Sequence, residues 1–302
     1  MPDLSICIVN TNQRELTRDC LRSVYENTRE VSFEIILVNN ACTDGSDEMV
    51  RAEFPQVRLI VNVERLGFSE NNNIAMRAAL GRYFLLLNED TYVRPGALDT
   101  LVKFMDGRPD AGACGGTLLN PDGTVQHTGK MRPTMSAAIF VSLGLARYFP
   151  DNPYTKQYFH QKESYSDYEE VDQMNGACLL VRREVVEQIG DLDERFFMAA
   201  QDVDWCLRMR DAGWKIFYIP KAEIVHYRGK GTKGRKMVWI YHKSLYIFYN
   251  KHFAKKHTFI FNWLVYVAIA ARLAIYMLRG SVLRKDSISQ EKRGIKASVK
   301  GV

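Results

Sequence analysis

Leu4-Ser5-Ile6-Cys7-Ile8-Val9 is an almost unbroken apolar run, and Asn10-Thr11-Asn12 follows it without a spacer. So short an apolar run, lacking polar alternation, reads as a strand buried on both faces, and the amides behind it read as the loop at its carboxyl end. The pattern recurs downstream. Phe33 to Val38 runs into Asn39-Asn40-Ala41, Val57 to Val61 into Asn62 to Gly67, and Tyr83 to Leu87 into Asn88-Glu89-Asp90. The stretches between these runs suit amphipathic crossover helices. Repeated strand-helix-strand units imply a parallel sheet with ligands bound beyond the carboxyl ends of its strands, so the four polar clusters should meet along one edge. The expected fold is α/β: a Rossmann-like sheet with helices on both faces over residues 1–227, and a basic helical appendage over 228–302.

Farther along, a helix is expected from Pro95 to about Met105, a strand around Cys114 to Leu119, and a turn at Asn120-Pro121-Asp122-Gly123. Residues 134–170 are rich in Tyr and Phe, contain Pro150 and Pro153, and lack a sustained period, which reads as an irregular insertion. Regular structure resumes with a strand over Gly176 to Val181, a helix from Arg183, and a helix around Asp202 to Asp211 stopped by Gly213. Strands at Lys215 to Ile219 and Ile224 to His226 close this part.

Hydrophobic residues are 46% of the 302 and charged residues 25%, the balance of a globular chain with a full core, which excludes disordered and collagen-like classes. The six cysteines show no C-x-x-C spacing, so a reduced cytoplasmic setting is expected rather than a disulfide framework. The amino terminus enters its first strand without a basic segment and long apolar stretch, which reads as no signal peptide.

The net charge of +6 is unevenly spread. Residues 228–302 hold 17 Lys and Arg against Asp286 and Glu291, hence +15, and the first 227 residues carry −9. A basic segment interleaved with aromatics serves either nucleic acid or an anionic membrane surface. The apolar run Phe259 to Leu278 favours the membrane, so no nucleic-acid partner is expected. Asn262 and Arg272 interrupt that run, which points to a helix lying in the interface rather than spanning. A helix packed on the domain and an oligomer contact stay open.

Carboxylates on the loop after a buried strand, as in Asn88-Glu89-Asp90, can hold a hard cation such as Mg2+ or Mn2+ against a diphosphate, though such triplets also serve as helix caps and solvated turns. With Ile8 to Asn12, Val38 to Ser46, Leu66-Gly67-Phe68 and Asn72-Asn73, Leu87 to Asp90, Gly176 to Arg183, and Asp202 to Arg208, the chain resembles the family 2 glycosyltransferases, in particular the rhamnosyltransferase-like branch that builds bacterial surface polysaccharides. The resemblance runs from Leu4 to about Tyr227. It implies a nucleotide-sugar transferase fold of the GT-A type and inverting transfer from a nucleoside diphosphate sugar to a glycan or lipid-linked acceptor.

By position, the resemblance makes Asp90 the metal-binding carboxylate and His226 a second ligand, against the plainer reading of His226 as a satisfied histidine. It implies a nucleotide site at Asn10, Asn12, Asn39, Arg65, Gly67 and Asn72, and a catalytic base at Asp202, whose alternative is a helix N-cap. Asn39 departs from the usual Asp, Arg65 from Asn, and Gln201 from Glu. Asp204 and Arg208, four apart, can pair on one helix face, so Asp204 is read as structural. The basic, glycine-rich stretch Arg228 to Arg235 is read as a lid over the diphosphate or a linker, and on the same resemblance the insertion 134–170 is read as an acceptor region.

The preferred donor, by resemblance, is dTDP-rhamnose. The alternatives are a polyprenyl-phosphate hexosyltransferase, or an inactive transferase scaffold that binds membrane or nucleic acid. The expected location is the cytoplasmic face of the membrane, peripherally bound.

Overall fold

The computed structural model describes residues 1–126, 128–132, 134, 149, 152, 153, 158, 167–227 and 234–298, with 279–298 as backbone alone. The expected insertion and lid fall largely outside these residues. The four apolar runs form β1 (Leu4–Asn10), β2 (Phe33–Asn39), β3 (Arg58–Val61) and β4 (Tyr83–Asn88), all parallel, with Asn10 opposite Asn39 and Val9 opposite Asn88. Between them lie α1 (Arg14–Asn27), α2 (Ser46–Glu53) and α3 (Phe68–Ala78). Then follow β5 (Thr91–Val93), α4 (Ala97–Asp106), β6 (Ala111–Leu119), β7 (Val125–Gln126), β8 (Glu169–Val171), β9 (Cys178–Arg182), α5 (Arg183–Ile189), α6 (Gln201–Asp211) and β10 (Lys215–His226). The strands form one sheet in the order β3-β2-β1-β4-β9-β6-β10-β5, with β7 on β6 and β8 on β10.

Side chains alternate between the two faces. Leu4, Ile6 and Ile8 of β1 pack with Cys20, Leu21 and Val24 of α1 and with Leu98, Leu101 and Met105 of α4. Cys7, Ile36 and Val38 pack on the other face with Ala75 and Met76 of α3 and with Trp205, Cys206 and Met209 of α6. This is the period of two expected of strands covered on both sides. Every residue of β6 is buried, and the strand accommodates Gly116 because a Cβ there would stand 2.0 Å from the Ala222 carbonyl oxygen.

Two expectations are corrected. The sheet is mixed, since β9 lies antiparallel between β4 and β6, and β5 lies antiparallel on β10. An unbroken apolar run reports burial on both faces but carries no sign of direction. The two strands expected at Lys215 to Ile219 and Ile224 to His226 are one, with its register against β6 shifted between Ile219 and Glu223, where Pro220 has no N–H to give the ladder. Glu169 and Glu170, the last residues of the expected insertion, lie in β8.

By its contacts the chain divides into one unit of Met1–Glu194 with Gln201–Gly229, and a second of Arg195–Ala200 with Lys230–Val302. The second unit contains α7 (Arg235–His252), a 3-10 turn (Ala254–Lys256) and α8 (Phe259–Ser298). Asn262 and Arg272, which interrupt the apolar run, turn toward α7. The Tyr249 hydroxyl donates to Asn262 Oδ1 at 2.6 Å, and the Arg272 guanidinium lies 5.5 Å from the ring centre of Tyr241. Phe259, Ile260, Trp263, Leu264 and Leu278 are exposed. Phe259–Leu278 is long and apolar enough to cross a membrane, with a mean hydropathy of 1.7, and none of that stretch is buried.

Candidate active site

The loops after β1 and β2 are stitched to each other by carboxamides. Asn10 Oδ1 accepts the Gln13 N–H at 3.1 Å, Asn12 Oδ1 accepts the Thr43 N–H at 2.7 Å, and Asn39 Oδ1 accepts the Cys42 N–H at 2.8 Å. The Cys42 thiol closes the seam, taking the Asn12 N–H at 3.1 Å and donating to Asn10 O at 3.3 Å. Asn12 and Ala41 both hold positive φ, of 54° and 52°, so the two loops turn sharply where they meet. Asn39 has its oxygen committed, which leaves its amide NH2 as the group it can offer a ligand. Asn10 Nδ2 is a fully buried donor without a hydrogen-bond partner.

The remaining nucleotide candidates differ. Gly67 is buried at the start of α3, and Asn40 clamps the adjacent loop by accepting from Leu66 N at 2.8 Å and donating to Leu66 O at 3.1 Å. Arg65 is exposed on that loop. Asn72 is buried in α3 and donates to Phe68 O of its own helix at 2.9 Å, so no contact directs it to a ligand.

Beyond β4 the chain presents Glu89 and Asp90. Gln13 Nε2 donates to Glu89 Oε1 at 2.8 Å, while burial, and then the charge of Asp90, push the Glu89 carboxyl up to about 7. β10 ends opposite this loop, with His226 paired to Thr91, and brings His226 Nε2 to 3.3 Å from Asp90 Oδ1. On its other side His226 Nδ1 lies 3.0 Å from Gln126 Oε1. Both Asp90 and Gln126 are buried. Among the described residues no three His, Cys, Asp or Glu side chains converge. One carboxylate oxygen and one imidazole nitrogen facing each other still fit a Mg2+ or Mn2+ ion, since such ions complete their shells with diphosphate oxygens and water.

Asp202 joins the same edge through β9. Asn88 N–H donates to Ala177 O at 3.1 Å, and the preceding Gly176 N–H donates to Asp202 Oδ2 at 3.1 Å. Val203 N–H holds the other oxygen at 2.9 Å. A Cβ on Gly176 would stand 3.4 Å from Asp202 Cβ, an ordinary contact, so the tie to α6 is the Gly176 N–H itself. Asp204 is wholly buried and accepts from Arg208 Nε at 3.1 Å, and that guanidinium also donates to Ile189 O and Asp191 O. Two acids, two residues apart, therefore have separate surroundings. The Gln201 side-chain oxygen beside them is buried without a partner.

Sequence reasoning passed over Gln126, Gln13, Cys42 and Gly176 as site residues. Gln126 lies in a two-residue strand after a turn and has no pattern of its own. Gly176 had a signal, its place in the segment leading to β9.

A family model described as glycosyl transferase family 2 matches residues 5–190. The N-acetylglucosaminyl-diphospho-decaprenol L-rhamnosyltransferase of Mycobacterium tuberculosis is 32% identical over 233 residues, covering 72% of this chain and 75% of that protein. Rhamnosyltransferase WbbL of Escherichia coli is 30% identical over 173 residues, 53% of this chain and 61% of its own. Among solved structures, GalNAc-T7 with UDP, GalNAc and Mn2+ superimposes with a TM-score of 0.58 at 15% identity, over 80% of this chain and 48% of that one. The mannosyltransferase PcManGT of Pyrobaculum calidifontis, with GDP-Man and Mn2+, does so at 0.56 and 17% identity, over 96% of this chain and 80% of that one. Identities this low speak for the fold alone, which is the GT-A type. Because the matched segment contains the strand edge from Asn10 to Asp90, the Gly176 turn and β9, the chain belongs to glycosyl transferase family 2 and is a glycosyltransferase.

Proposed function

We propose that the protein is an inverting transferase that moves a sugar, by preference rhamnose from dTDP-rhamnose, onto a hydroxyl of a lipid-linked glycan at the cytoplasmic face of the membrane. The observation that carries this reading is the Asp90–His226 pair, 3.3 Å apart on the strand edge that also holds Asn10 and Asn39. A divalent cation held there, Mn2+ or Mg2+, would neutralise the leaving diphosphate. Asp202 takes the proton of the acceptor hydroxyl, its carboxylate aimed by the Gly176 and Val203 N–H groups. The acceptor oxygen bonds to the anomeric carbon as the bond to the diphosphate breaks, and the electron pair leaves with the diphosphate. Attack from the opposite face inverts the carbon without a covalent enzyme intermediate. Asn39 offers its NH2 to the base or ribose.

The names of the mycobacterial and E. coli relatives support rhamnose, and the first supports a diphospho-polyprenol acceptor. The exposed apolar side of α8 and the +15 charge of residues 228–302 support a place at an anionic membrane surface. A panel of nucleotide sugars with Mn2+ or Mg2+ tests the donor, and the anomeric coupling constant of the product tests inversion. Flotation of the whole chain with liposomes tests the membrane: binding should require anionic lipid, weaken with salt, and fall on Trp263→Asp.

A further inference from the structure

We infer that Gln126 is a positioning residue for the cation site, fixing the tautomer and plane of His226 so that a bare Nε2 faces Asp90. This rests on the reading that Asp90 and His226 hold a divalent cation. The orientation of the Gln126 amide is decided by its surroundings. Its Nε2 lies 2.8 Å from His226 O, 3.3 Å from Leu119 O and 3.0 Å from Asn120 Oδ1. Asn120 presents oxygen there, because its own Nδ2 donates to Thr124 Oγ1 at 2.9 Å. A flipped Gln126 would set its oxygen against three oxygens, two of them backbone carbonyls that can only accept.

The Gln126 oxygen therefore sits at His226 Nδ1, 3.0 Å away. An amide oxygen only accepts, so Nδ1 carries the ring hydrogen, and in the neutral ring Nε2 carries a lone pair. That lone pair points at Asp90 Oδ1, 3.3 Å off. Two electron-pair donors held at that distance fit a shared cation better than each other. Gln126 also grips the His226 carbonyl, so one buried side chain fixes both the backbone and the ring of the ligand. An outer partner of this kind decides which nitrogen is free and where it points, and its loss lowers metal affinity about tenfold to a hundredfold.

The test uses the whole chain with Mn2+ and dTDP, read by electron paramagnetic resonance, and needs no turnover. Wild type should bind Mn2+ with an imidazole nitrogen coupling in the pulsed spectrum, and His226→Ala should remove that coupling. Gln126→Leu should weaken Mn2+ binding about tenfold to a hundredfold and diminish the coupling. Nitrogen NMR of the metal-free wild type should show the hydrogen of His226 on Nδ1, a readout that survives any misfolding of the variants. Wild-type coupling and affinity in Gln126→Leu, or the hydrogen on Nε2, overturns the role of Gln126 while leaving the cation site standing. A coupling unchanged in His226→Ala, or no Mn2+ bound by wild type, sinks the cation site and this inference with it.

Discussion

The two ends of the sheet treat their charges differently. At the amino end charges are consumed by structure: Asp3 is bound by the Ser32 hydroxyl at 2.6 Å and by Arg82 Nε at 2.9 Å, and Arg82 continues to Asp106. Even the buried Asp99 is saturated there, accepting the N–H groups of Arg29, Glu30 and Val31. At the carboxyl end neutral carboxamides make much of the structure, while Glu89 and Asp90 meet groups that leave their charge in play. Glu89 faces an amide and Asp90, and Asp90 faces an imidazole. Both ends are rich in polar side chains, and the partners of Asp3, Asp99, Glu89 and Asp90 tell a load-carrying end from the one we propose reacts.

The sharpest way to break this contrast is a pair of substitutions. Asp90→Ala should lower turnover by about 10³-fold or more with the thermal midpoint nearly kept, because it removes a group whose work is electrostatic. Arg82→Ala at the other end should cost about 1 kcal/mol in denaturant unfolding and leave turnover unchanged, as exposed ion pairs contribute little each. An activity loss in Arg82→Ala comparable to that in Asp90→Ala would erase the distinction.

Helix α6 repeats the contrast within one turn. Asp202→Asn keeps shape and hydrogen bonding but cannot take a proton, so turnover should fall about 10²- to 10⁴-fold with nucleotide binding retained. Asp204→Asn breaks the buried pair with Arg208 and should cost about 3 kcal/mol of stability instead. A larger kinetic loss at Asp204, measured at a temperature where both variants are folded, would exchange their roles.

The smallest expected effect is at Asp3, whose carboxyl is held down to about 2 by the Ser32 hydroxyl and then by Arg82. A depressed carboxyl adds stability above its unfolded value of 3.8 and loses it as pH falls toward 2. Ser32→Ala should therefore be less stable than wild type at neutral pH, with the gap closing between about pH 4 and pH 2. A gap that persists at pH 2 would assign the loss to packing.

Strands β1 to β4 and their polar edge were legible because an apolar run and an amide cluster are local signals. Asp204 was legible for the same reason, its partner being four residues on. The antiparallel β9 was not, since direction is set by the path of the chain between strands. Gln126 was not legible either, because its partners lie at Leu119, Asn120 and His226, the last 100 residues away. A residue whose meaning comes from a distant carbonyl leaves no trace in spacing.

Cys42 bridges the loops after β1 and β2 and is half-buried, whereas Cys7, Cys20, Cys114, Cys178 and Cys206 are buried. Burial raises its thiol as well, so alkylation should wait on separation of the loops. The labelling rate of a single thiol then counts opening events of the strand edge, on a scale of free energies that runs from fraying to complete unfolding. Each ligand that closes the edge should slow that clock by the factor with which it favours the closed form.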